Sequence, residues 1–198
     1  MNDAYPKFGS IPRLNRDMVI TEKIDGTNGL IFIYDPDAEP ESVLSVSSAE
    51  GDLIAAGSRN RWLTVSADNF GFAAWVSANA DSLRADLGPG MHYGEWWGSG
   101  IQRGYGLPSG QKRFSLFSTK RWAGVVFTTP SLGVVPVLDR YTFSLTRVNL
   151  VMEMLRTDGS KAQPGFMNPE GVVVYHAAAN QMFKATLEND EKPKSAVA

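Results

Sequence analysis

The chain contains no cysteine and only two histidines. Without a thiol, disulfides, thiolate nucleophiles and Cys-ligated zinc are excluded. His92 and His176 stand alone, with no carboxylate at metal-ligand spacing, and read as structural residues. No sign of charge dominates. The formal net charge is −2, so the chain is not a generally basic nucleic-acid binder, and any such contact must come from local basic stretches. No apolar run approaches the length of a membrane span. The start, "MNDAYPKFGSIPRLNR", has no apolar stretch of the secretory type. These absences predict a soluble cytosolic protein with no membrane partner.

What is present is a globular composition: 198 residues, 43% hydrophobic, 11% aromatic and 20% charged. That length favours one domain with a substantial core. "DMVITEKI" and "GLIFIYD" read as a strand pair joined by the turn "DGTN". "VLSVSS" resumes the strand pattern after a polar loop. Phe72, Val76, Ala80, Leu83 and Leu87 recur at helical spacing and predict one amphipathic helix from about Asp68, stopped by "GPG". "MHYGEWW" and "RFSLFST" are strand candidates on either side of the glycine-rich "GSGIQRGYGLPSG". Ser144 is placed to cap a second helix carrying Val148, Val151, Met152 and Leu155, ending near Gly159. "EGVVVYH" and "QMFKATL" read as two strands turning through Asn180. Strand runs broken by single helices predict an α+β fold. The expected domain is 1–190, with a loose polar tail over 191–198.

The stretch "TEKIDGTNG" (21–29) raises the question of function. Lys23 and Asp25 sit together where a strand ends in a turn. A lysine with its ordinary pKa of about 10.4 is protonated at neutral pH and is a poor nucleophile. Burial or a neighbouring cation frees its lone pair. Lys23 is therefore either part of a solvated hairpin turn or an amine held against a ligand.

"EKIDGTN" resembles the first signature of the covalent nucleotidyltransferases, which include ATP-dependent DNA and RNA ligases and mRNA capping enzymes. Further stretches resemble that family's later signatures in the same order: "GSRNR" (57–61), "YGEWWG" (93–98), "FSLFS" (114–118), "EGVVV" (170–174) and "FKATLEND" (183–190). The match is nearest to RNA ligases, especially small phage-type ones. The resemblance implies antiparallel sheets with flanking helices and an ATP-dependent ligase that forms lysyl–AMP on Lys23, transfers AMP to a 5′-phosphate and seals it to a 3′-hydroxyl. RNA ends are the favoured partner, and the protein is expected to be a monomer. Glu22, Gly26 and Asn28 join Lys23 at the nucleotide, Asp25 orients the amine or a ribose hydroxyl, and Arg59 and Lys184 meet phosphate. Glu95 and Glu170 are the catalytic acids, Glu170 on the side of Mg²⁺ or Mn²⁺, and Phe117 stacks on the purine. ATP is expected rather than NAD, and no OB-fold domain is expected. Two positions depart from the pattern: Thr186 replaces the second lysine of the last signature, a charge Lys192 or Lys194 could supply, and Ser118 replaces an aspartate.

Other readings stay open. Glu95 and Glu170 could be strand-surface or capping residues, Arg59 and Arg61 solvated charges, Lys184 an outward strand residue and Phe117 part of the core. Lys112, Arg113, Lys120, Arg121 and Arg103, interleaved with Tyr105, Phe114 and Trp122, form either a nucleic-acid path or a solvated loop edge. Two further functions compete with the ligase: a GTP-using capping-type nucleotidyltransferase, and a catalytically weak protein that binds nucleotides or nucleic-acid ends.

Overall fold

The computed structural model describes residues 9–35, 54–188 and 190. The expected strand "VLSVSS" and the whole expected tail, with Lys192 and Lys194, lie outside the described residues.

Two sheets make up the fold. The first has four strands: β1 (Asp17–Lys23) at its centre, between β8 (Val137–Thr142) and β9 (Gly171–His176), with β10 (Gln181–Thr186) outside β9. All its pairs are antiparallel. The second has six strands: β2 (Thr27–Ile33), β3 (Ile54–Gly57), β4 (Trp62–Leu63), β5 (Gly90–Gly98), β6 (Lys112–Leu116) and β7 (Leu132–Val134), in the order β4-β3-β2-β5-β6-β7. Its pairs are antiparallel, as expected, except β6–β7, which is parallel.

β1 and β2 do not form the expected hairpin. β1 pairs with β8 and β9, whereas β2 pairs with β3 and β5. The turn at Ile24–Gly26 passes the chain from one sheet to the other. Its amides bond to side chains instead of to a hairpin partner: Asp25 N–H donates to the Tyr105 hydroxyl (2.9 Å) and Gly26 N–H to Glu95 Oε1 (3.0 Å).

Each sheet has one face covered by helix, as its alternating sequence requires. In β1, Met18 and Ile20 are buried, with Val172 and Val174 of β9, against Val148, Val151, Met152 and Leu155 of α3 (Leu145–Asp158). Ser144 caps α3 as expected, accepting from Arg147 N–H. In the larger sheet, Ile31, Ile33, Trp96, Phe114 and Leu116 pack on α1 (Phe72–Ala78) and α2 (Ala80–Leu87). The single expected helix is thus two. Asn79 breaks it with φ −117°, its side-chain amide donating to the Trp75 carbonyl. Asp68 caps the start of α1 by accepting from the amides of Ala73 and Ala74. A third cluster, Ile24, Trp97, Tyr105, Leu107 and Val135, joins the sheets at the crossover. No helix among the described residues is long and apolar enough to cross a membrane.

The large rings over β5 depend on glycine. A Cβ on Gly94 would lie 2.5 Å from the Ser115 carbonyl and 2.6 Å from Phe114. Gly94→Ala is expected to destabilise the protein by about 1–3 kcal/mol, the usual cost of overpacking. Gly133→Ala, where nothing lies within 4 Å, is the control, and urea unfolding midpoints decide between a specific and a general effect.

Candidate active site

The alternation of β1 sends Glu22 and Lys23 to opposite faces. Lys23 ends the strand on the face without helices, partly buried, with Nζ 2.6 Å from Glu170 Oε2. Glu170 immediately precedes β9, and its neighbour Gly171 pairs with Lys23 across the sheet. Gly171 has φ 151°, and a Cβ there would meet the Ala185 carbonyl at 2.2 Å. The backbone beside Glu170 therefore tolerates no side chain, which fixes where the carboxylate starts.

Glu95 arrives from the other sheet. In register, Asn28, Glu95 and Ser115 form one row across β2, β5 and β6, on the face opposite the helices. Phe117 lies just past β6 on the same face, its amide bonded to the Tyr93 carbonyl. Its ring is 38% exposed, so it is not a core residue. Asp25 sits between the sheets, its carboxylate 3.2 Å from Arg103 Nε.

The cluster is electrostatically uneven. The Glu95 carboxyl is pushed up from 4.5 to about 7, first by burial and further by Glu170 and Asp25. Lys23 and the Gly26 amide pull in the other direction but are outweighed. Burial likewise raises the Tyr105 phenol, keeping it a neutral acceptor for the Asp25 amide.

These carboxylates are hard oxygen donors of the kind that suits Mg²⁺ or Mn²⁺. Among the described residues, no group of three or more His, Cys, Asp or Glu side chains could hold a metal. An open cavity of about 500 Å³, lined by Phe70, Trp75, Trp96 and Lys112 among others, takes no wall from Lys23, Glu95 or Glu170. The lysine–carboxylate cluster, where charge and burial converge, is the candidate site.

The sequence model of the family described as RNA ligase matches residues 16–186. The chain belongs to the RNA ligase family. Solved structures of Naegleria gruberi RNA ligase share its fold. A mutant with ATP and Mn has TM-score 0.58 and 18% identity, over 88% of this chain and 51% of that one. The enzyme with PPi has TM-score 0.55 and 19% identity, over 87% and 50%. A mutant with AMP and Mn has TM-score 0.56 and 19% identity, over the same shares. The chain thus spans about half the length of these ligases. No curated protein matches it significantly.

Against this RNA ligase fold, the expected site residues fall into three groups. Lys23, Asp25, Gly26, Asn28, Glu95 and Glu170 are brought together at the crossover. Lys184 and Phe117 lie on the open faces that lead to it. Lys184 is exposed and shares the Lys23 face, since Thr21, Val173 and Lys184 are in register. Arg59 is exposed in the turn after β3, at the Asn28 end of β2. Thr186, in the place of the second lysine, bonds to the Glu188 carbonyl and to Asp190.

The third group is not where it was expected. Glu22 faces away from Lys23 and is buried, accepting from the Ser160 hydroxyl (2.5 Å) and the amides of Lys161 (2.7 Å) and Ala162 (2.9 Å). It anchors a loop on the face opposite Lys23. Arg103, expected at nucleic acid, is bonded to Asp25, Asn168 and Glu188. Tyr105, Phe114 and Trp122 are buried and cannot stack on bases. Lys120 and Arg121 are both exposed, and Arg121 also lies over the Trp122 ring and donates to the Leu87 carbonyl. The basic stretches are also separated: Arg113 covers Trp97 at the opposite end of β6. Tyr105 and Asn168 are site-shaping residues that the sequence reading missed. The only signal was the density of glycine around Tyr105, which marks close backbone approach.

The raised Glu95 pKa has a definite sign in stability. Between 4.5 and about 7 the folded state holds a proton that the unfolded chain has released, so stability falls as pH rises through that window. Glu95→Gln is expected to flatten this slope in urea unfolding measured across the window, and equal slopes in the two proteins would show that Glu95 titrates normally.

Proposed function

We propose that the chain is an ATP-dependent RNA ligase that works through Lys23–AMP. The observation that carries this reading is the Lys23–Glu170 pair at 2.6 Å, set at the junction of two open sheet faces in a chain of the RNA ligase family. The Lys23 amine attacks the α-phosphorus of ATP. A P–N bond forms, the α–β P–O bond breaks, and pyrophosphate leaves. Glu170 Oε2, already accepting from Nζ, is placed to take the proton that the amine must lose. A 5′-phosphate oxygen of the nucleic acid then attacks the AMP phosphorus, and the P–N bond returns its electrons to Lys23, which regains a proton. Finally the 3′-hydroxyl attacks the activated 5′-phosphorus and AMP departs.

Such transfers depend on positioning and on neutralising charge. A divalent ion held by Glu170, with Glu95 nearby, would supply neutralisation of the phosphates. Lys184 and Arg59 are exposed cations at the approaches to the cluster and serve the same end. Glu95 accepts from Gly26 N–H and so keeps the crossover close to β5. Phe117 offers a free ring face to the adenine. The family match favours RNA, with the ends held by a complementary strand and RNA at the 3′-hydroxyl side.

Incubation with α-labelled ATP or GTP and Mg²⁺ or Mn²⁺, followed by denaturing electrophoresis, tests the first step. Covalent label from ATP is expected, and Lys23→Ala and Lys23→Arg are expected to abolish it without unfolding the protein, since arginine does not deprotonate. Full labelling of either variant would remove Lys23 from its role, and label from GTP alone would assign a capping-type reaction.

Because Phe117 is exposed, its substitution is expected to affect binding and not folding. Phe117→Ala is expected to weaken ATP binding by about 0.5–1.5 kcal/mol and Phe117→Tyr to leave it nearly unchanged, since stacking needs only the ring face. Calorimetric titration with ATP distinguishes the two, and equal affinity of Phe117→Ala and the parent protein would place the base elsewhere.

A further inference from the structure

The stretch from Gly98 to Gly106 is wound tightly over the crossover. Gly98, Gly100, Gly104 and Gly106 have positive φ, and so do Gln102 (44°) and Tyr105 (53°). Non-glycine residues keep such angles only where their surroundings over-determine them. Tyr105 is held by burial between Trp97 and Phe166 and by the Asp25 amide. Arg103 is held by three separate segments. Its Nε donates to Asp25 Oδ2 (3.2 Å), its Nη1 to the Asn168 side-chain oxygen (2.6 Å) and carbonyl (3.2 Å), and its Nη2 to Glu188 (3.4 Å).

Those segments are the ones that carry the chemistry. Asp25 is two residues after Lys23, Asn168 two residues before Glu170, and Glu188 four residues after Lys184. Gly171 pairs with Lys23 across the sheet, but among the described residues no backbone bond joins the Asn168 stretch to residues 24–26, and Arg103 bridges these two.

We propose that Arg103 is a positioning residue for adenylyl transfer, fixing the Lys23-bearing crossover and the Glu170-bearing segment relative to each other. The inference rests on the reading of Lys23 as the adenylylated residue. A guanidinium suits the task because its planar fork offers five donors in fixed directions, enough for three partners at once. Lysine at this place would keep the charge but hold fewer of them. Charge-assisted bonds in a partly buried setting are also the stronger ones. Arg103 acts on the reacting groups and not on the base, which is served from the Phe117 face of the other sheet. Its loss therefore slows P–N bond formation and leaves ATP affinity almost intact.

The test is single-turnover lysyl–AMP formation at varied ATP, in the full chain and in Arg103→Ala, Arg103→Lys and Asn168→Ala. The maximal rate is expected to fall on the order of 10- to 100-fold in Arg103→Ala, the usual cost of small misplacement. Half-saturating ATP is expected to change less than about threefold, as when an interaction serves only the transition state. Arg103→Lys should recover part of the rate, and Asn168→Ala, which removes the shortest bond, should lose part. Amide hydrogen exchange of the nucleotide-free proteins provides a second readout. Faster exchange at residues 24–26 and 168–171 is expected in Arg103→Ala, with Arg103→Lys intermediate. Normal self-labelling of Arg103→Ala with loss only of end joining would overturn the proposal and make Arg103 a nucleic-acid contact. A loss confined to ATP affinity, or unchanged exchange at both segments, would overturn it as well. If Arg103→Ala does not fold, the other two variants decide by the same measurements. Absence of label in the parent protein would count against adenylylation on Lys23, while exchange would still decide whether Arg103 holds the two segments.

Discussion

The lysine–carboxylate cluster depends on how closely one turn of backbone can approach a strand. At Gly26 a Cβ would lie 2.4 Å from the Trp96 carbonyl, 2.9 Å from Trp97 Cβ and 3.0 Å from Glu95 Cγ. Any other residue would hold the crossover away from β5. With glycine, the Gly26 amide reaches Glu95, and the end of β1 is drawn against the neighbouring sheet. Lys23, Asp25, Glu95 and Glu170 come from three distant parts of the chain, and this close approach makes them neighbours. The raised Glu95 pKa is the electrostatic record of that crowding, because burial and two nearby carboxylates outweigh one lysine.

The rest of the architecture can be understood as support for that junction. Each sheet buries one face under helices and leaves the other open, so the open faces are free for a ligand while the covered ones supply stability. Burying each large apolar side chain contributes about 1.5–3 kcal/mol, and both helical layers consist of such residues. The third cluster is smaller, and it lies where the sheets join. Polar ties reinforce it. Glu22 holds the 160–162 loop, Gln163 of that loop accepts from Arg113, and Arg113 covers Trp97. A buried carboxylate on one sheet is thus connected through a few side chains to the aromatic wall of the other.

Much of this was legible in the residues themselves. β1, β2, β5, β6, β9 and β10 follow from period-two patterns, and α3 from its spacing, its Ser144 cap and Gly159. The ordered signatures pointed to Lys23, Glu95 and Glu170 before their proximity was known. Pairing was less legible. A strand–turn–strand reads as a hairpin by local rules, and only the positions of β5, β8 and β9 show that β1 and β2 part company. β8 escaped notice because it has a charged, largely exposed pattern. The break at Asn79 was hidden because the apolar spacing continues through it. The basic residues misled for a related reason: charge in sequence does not reveal whether a side chain is free. Arg103 and Arg113 are internal ties, and the rings that alternate with them are core.

The adjacency of Glu22 and Lys23 carries one more consequence. Two residues side by side in one strand serve opposite faces, one as a buried anchor and the other as the partner of Glu170. A β1 paired one residue out of register would exchange every inward and outward side chain. It would bury an ammonium where the Ser160 hydroxyl and the Lys161 and Ala162 amides now donate to Glu22, and turn the Glu22 carboxylate toward Glu170. Such a misfolded species would be unstable. Correct assembly of β1 and the placing of Lys23 beside Glu170 are therefore set by the same registration.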